Sequence, residues 1–108
     1  MTAKIPEADW EKFRGLCEVI LERFCDQILQ EVAKLAADDS ASSYERYLKI
    51  HELIEERNQQ LAYLFDNPRR SQMIGQLGGM QTMGLLEADE LAEFTSETRD
   101  RIALFVKS

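Results

Sequence analysis

The sequence predicts an all-α fold, four helices in a bundle-like arrangement led by a long N-terminal helix, and three observations carry that prediction. From Pro6 to Ala37 the residues Trp10, Phe13, Cys17, Ile20, Leu21, Phe24, Cys25, Ile28, Val32 and Leu35 recur at spacings of three and four, one apolar stripe on a 3.6-residue period. Further stripes of the same period follow, separated by short stretches rich in Ser, Asp, Asn, Pro or Gly. No segment alternates apolar and polar residues over a strand length.

The first helix is expected over about 6–37. Pro6 suits a first helical turn, Glu7 and Asp9 suit its positive end, and Glu18, Glu22, Arg23 and Asp26 fall on the polar side. At 1.5 Å per residue it would run about 48 Å, far more than a 13 Å radius of gyration, expected for about 100 residues, can cover. Either Gly15 kinks it, or its first turns, with Trp10 and Phe13, overhang and pack on a second copy.

Residues 37–43 form a polar break in which Ser42 and Glu45 have capping-box spacing, so a second helix is expected over 43–66, antiparallel to the first. Its inner face would carry Tyr47, Ile50, Ile54, Leu61 and Phe65, with Asn58 inside the stripe and His51 at its edge. Asn67 as cap and Pro68 as first-turn residue restart a helix over 68–83, with Met73, Ile74, Leu77 and Met80 on one face. Gly75, Gly78 and Gly79 there mean either close approach of another element or fraying near Gly78. Gly84 with Leu85 and Leu86 reads as a helix end with an apolar latch. Leu91, Phe94, Thr98, Ile102 and Phe105 then stay in phase, favouring one helix over 87–106 without a break at Thr95 and Ser96.

The chain has 108 residues, 44% hydrophobic and 31% charged, which fits one domain able to bury its own core. No apolar run approaches a membrane span or a secretory signal, so the expected location is cytoplasmic, away from membranes. The net charge of −7 argues against nucleic acid, because phosphate binding rests on clustered Lys and Arg. Residues 87–97, the only stretch placed like a recognition helix, hold five acidic groups and no basic one. Cys17 and Cys25 lie eight residues apart on one helix, about 12 Å by helical rise, beyond the roughly 7 Å a disulfide spans.

No residue pattern supports catalysis, a metal or a cofactor. His51 is the one histidine, with Glu52 beside it and Glu55 a turn on, which falls short of a di-iron or zinc-protease motif. The acidic runs Glu18, Glu22, Asp26 and Glu90, Glu93, Glu97 read as solvated faces. The expected function is a non-enzymatic protein-interaction module, a homodimer in the first instance and a regulator or inhibitor of a more basic protein in a more specific form. Trp10, Phe13, Met73, Met80 and Met83 are the candidate partner contacts, and Arg69 and Arg70, at a helix start, the candidate anion contact. The alternative is a helical protein that binds a small ligand or metal through the Met- and Gly-rich third helix or His51.

Overall fold

In a computed structural model describing residues 5–107, five α-helices follow one another with no strand among the described residues: α1 (Glu7–Ala36), α2 (Ser43–Phe65), α3 (Met73–Thr82), α4 (Ala88–Leu91) and α5 (Ser96–Lys107). The molecule is elongated, 55 × 25 × 24 Å, with a radius of gyration of 16.7 Å. That exceeds the roughly 13 Å of a compact chain of this size, because α1 and α2 form an antiparallel hairpin longer than the rest of the protein can flank.

Helix α1 runs unbroken for 30 residues, about 45 Å, and passes through Gly15 without interruption. Ser42 caps α2, its hydroxyl accepting from the Glu45 N–H at 3.1 Å. The expected helix over 68–83 starts later. Asn67 takes a left-handed backbone conformation, φ 46°, residues 70–72 make a 3-10 turn, and α3 begins only at Met73. Past that start, α3 is continuous through Gly78 and Gly79, and the reason is close approach. The ring of Phe105 lies against Gly78, and a Cβ on Gly79 would stand 2.7 Å from Leu64 Cδ2. Gly84 ends α3 with φ 74°, while the Leu85 N–H reaches back to the Met80 carbonyl at 2.9 Å and that of Gly84 to Gln81 at 3.0 Å, the latch foreseen at this position.

The expected single helix over 87–106 is instead two. Residues 92–95 turn between α4 and α5, because Thr95 becomes a cap and its N–H and hydroxyl are taken by Asp9 of α1. The core lies at one end of the hairpin: Phe13, Ile20 and Phe24 of α1, Leu64 of α2, Met73, Leu77 and Met80 of α3, then Leu85, Phe94 and Ile102 are buried together.

The overhang is therefore at the far end from the one anticipated. Phe13 is fully buried and Trp10 half-buried, because α3, α4 and α5 gather around the first half of α1 and the second half of α2. The last turns of α1 and the first turns of α2 project beyond them.

Candidate interaction surface

Two polar junctions fix which side of the hairpin the small helices occupy. On α1, Arg23 donates to both carboxylate oxygens of Glu90, at 2.8 and 3.0 Å, and also to the Leu85 carbonyl. Glu90 in turn accepts from the Glu87 N–H at 2.9 Å and closes the capping box of α4. Arg23 and Glu90 thus leave the solvated faces to which their spacing assigned them. The Arg23 guanidinium holds the Glu90 carboxyl below its ordinary value, against a smaller opposing effect of burial.

The second junction is Asp9, 2% exposed. Its carboxylate accepts from the Thr95 N–H at 3.1 Å, the Thr95 hydroxyl at 2.7 Å and the Thr98 hydroxyl at 2.6 Å. Burial pushes this carboxyl up, yet those bonds together outweigh it and hold the pKa below the ordinary value. Both junctions lie on one flank of α1. On α2 the corresponding flank is the one with Leu64 and Tyr63, which meet Gly79 of α3.

The opposite flanks of α1 and α2 consequently form one free face. Relative to Phe24, Arg23 sits about −100° round the α1 axis, whereas Leu21, Val32 and Cys25 sit at about +60 to +100°. All three are half-buried. Of the α2 stripe, Leu61 and Phe65 do pack inward, Phe65 with its ring centroid 6.5 Å from that of Phe24, and Ile50 is half-buried, whereas Tyr47 and Ile54 open to the free side, so the inner-face assignment is corrected for these two. Tyr47 is 64% exposed and Ile54 41%, and Asn58 is exposed as well. The buried line of α2 runs instead through Leu64, with Leu53, Arg57 and Gln60 half-buried behind it. The apolar stripe of α2 is wider than α1 and α3 can cover, and its outer half is left open.

The anticipated partner contacts are distributed differently. Met73 and Met80 are fully buried with Phe13, and Trp10 and Met83 are half-buried against the core, so this set builds the interior. Arg70 is engaged within the chain, paired with Glu7 and with its guanidinium 5.6 Å from the centroid of the Trp10 ring. Arg69 lines a cleft of about 610 Å³ between the end of α2 and α3, together with Tyr63, Gln76 and Phe105. His51 is exposed, its Nε2 3.1 Å from Glu55 Oε1 and its ring stacked on Tyr47. Among the described residues no three His, Cys, Asp or Glu side chains cluster as a metal site, and no helix is long and apolar enough to cross a membrane. Cys17 and Cys25 are both free, and burial pushes the Cys17 thiol up to about 11.

The geometry stands without a relative to interpret it. No protein-family model matches the chain, and no curated protein or solved structure matches it either.

Proposed function

We propose that the chain is a non-enzymatic module that works by binding protein, and that it does so through the free flank of the α1–α2 hairpin. One observation carries the reading. An apolar stripe at helical spacing, with Tyr47 and Ile54 exposed, runs along the hairpin on the side away from α3, α4 and α5. Exposed stripes of this kind receive helices or helix pairs of a partner. The hydrogen bonds that shift the titration of Asp9, Arg23 and Glu90 are ones that hold helices together, which accounts for these shifts without chemistry. With a net charge of −7, a basic protein would be steered toward the molecule, so regulation or inhibition of such a protein remains the specific form of the reading, in the cytoplasm.

The test is a photoreactive residue at position 54 in the full chain, expressed in cells. Protein adducts are expected from position 54 and not from position 22 on the polar side of α1. Equal yields from the two positions would remove the assignment.

A second reading is favoured by Gln76, whose buried Oε1 has no partner and which lines the same cleft as Arg69. A small ligand carrying a hydrogen-bond donor and an acidic group would suit that pair. A library of small carboxylic acid amides screened by thermal shift, with Gln76→Leu as the control, tests it: stabilisation lost in the variant supports it, and no stabilisation at millimolar ligand removes it.

A further inference from the structure

We propose that the occupant of the free flank is a second copy of this chain, the two hairpins stacking face to face about a two-fold axis as a four-helix bundle. This rests on the protein-binding reading above and makes it specific.

The first argument is geometric. The projecting end is only two helices thick, and two helices alone cannot enclose a core, whereas two such hairpins laid on each other enclose one shared interior. The second is area. Leu61, Leu64 and Phe65 pack on the chain's own core, so the free part of α2, residues 43–58, gives a face about 24 Å long, and two helices side by side make it about 20 Å wide, so each copy offers about 480 Å². Two copies would together bury about 960 Å², the size of a weak, reversible interface.

The third argument is charge. The stripe formed by Leu21, Cys25, Val32, Tyr47, Ile54 and Asn58 carries no charged side chain, in a chain that is 31% charged with a net −7. Two like-charged copies can meet only on a face whose own surface does not repel, and this stripe meets that condition. The fourth is Asn58, a polar residue set in the apolar stripe between Ile54 and Leu61 and exposed in the single chain. Brought against its own copy near the axis, its amide would find donor and acceptor, the way one buried Asn fixes register in helical assemblies. A two-fold contact requires such a self-complementary surface.

The experiment is light scattering of the full chain from about 5 to 100 μM, a range that spans micromolar dissociation constants. The expected mass is twice 12.5 kDa. The double substitution Tyr47→Glu with Ile54→Glu changes two side chains that are exposed in the single copy, and it should weaken dimerisation by about a hundredfold or more, since it places unpaired carboxylates in a desolvated contact. The far-UV circular dichroism should stay helical. Should that variant lose helicity, Asn58→Lys at an exposed position provides the same test. Leu104→Glu on α5, where the side chain is 70% exposed and off the hairpin, should leave the dimer intact.

A wild-type monomer at 100 μM, or a folded charged variant that still dimerises as tightly, overturns the proposal. The photoreactive residue at position 54 separates the two levels. A monomer that forms adducts there with a different protein removes the second copy and leaves the protein-binding reading, while a monomer with no adduct removes both.

Discussion

The Thr98 hydroxyl donates to the carboxylate of Asp9 at 2.6 Å, joining the first turn of α1 to the first turn of α5 across 89 residues of sequence. Asp9 is thereby placed at the positive ends of two helices at once, its own and that of α5. Its other two bonds, from the N–H and hydroxyl of Thr95, satisfy groups that would otherwise be lost at the break between α4 and α5. Asp9→Ala removes three acceptor contacts at a buried position and should cost about 2 to 4 kcal/mol in denaturant unfolding. Asp9→Asn keeps shape and can accept at one atom only, so it should cost less than the alanine. A loss under about 0.5 kcal/mol for the alanine variant would show that the junction is not holding α5.

The pH dependence follows from the same residue. The folded Asp9 carboxyl lies below its ordinary 3.8 and that of Glu90 below its ordinary 4.5. At intermediate acidity the unfolded chain therefore binds more protons than the folded one, and stability rises with pH. The contribution is complete above about pH 5 and is lost as the pH falls through the folded values. Urea midpoints should drop between pH 6 and pH 3, and Asp9→Asn should show a shallower drop. Identical slopes for the two proteins would detach the effect from Asp9.

Arg23 supplies a different prediction, because its guanidinium binds two carboxylate oxygens and a carbonyl together. A lysine cannot reproduce that fork. Arg23→Lys should cost about 1 to 2 kcal/mol and Arg23→Met about 2 to 3, since the latter leaves a largely buried Glu90 unpaired. A cycle with Glu90→Gln should return a coupling of about 1 to 3 kcal/mol, and additivity of the single changes would count against the bridge.

Cys17 is predicted to be slow toward thiol reagents in the folded state. Burial pushes its pKa from 9.0 to about 11, so near pH 8 its thiolate fraction is about a hundredfold below that of an ordinary thiol. Mass spectrometry after brief alkylation checks this, and labelling of Cys17 at the unfolded rate would contradict its placement.

How much of this was legible in the sequence divides along the kind of signal involved. The stripe of α1, the Ser42 cap and the Gly84 latch are local patterns of spacing and residue type, and all three stand where they were read. The break between α4 and α5 was not legible, although Thr95 and Ser96 offered a cap. The acceptor that settles it is Asp9, 86 residues away, and no local rule pairs them. The same holds for Arg23, whose partner Glu90 looked like one more solvated acid. The free flank was misread for another reason. Periodicity marks the apolar side of α2 but not how much of it a neighbour covers, and Tyr47 and Ile54 lie on the part left uncovered.

The glycines give the sharpest separation between propensity and packing. Inside a helix, replacing glycine by alanine gains up to about 1 kcal/mol if the added methyl meets nothing. Gly15 lies in the middle of α1 with no atom within 4 Å of a Cβ placed there, so Gly15→Ala should stabilise by about that amount. Gly79→Ala starts with the same gain but sets its methyl 2.7 Å from Leu64 Cδ2, and Leu64 is 1% exposed. Overpacking of that kind costs about 1 to 3 kcal/mol, so the net change should be destabilising by about 1. Gly78→Ala belongs with Gly79→Ala. Its methyl would strike three atoms of the Phe105 ring, more tightly than the Gly79 methyl meets Leu64, so the ring must be displaced and the net change should be destabilising as well. Urea unfolding of the three variants under one condition therefore has a required order, Gly15→Ala above wild type and both Gly78→Ala and Gly79→Ala below it. A stabilised Gly79→Ala would mean that α2 and α3 do not approach as closely as Leu64 and Gly79 do here, and the packing of α3 on the hairpin would have to be redrawn.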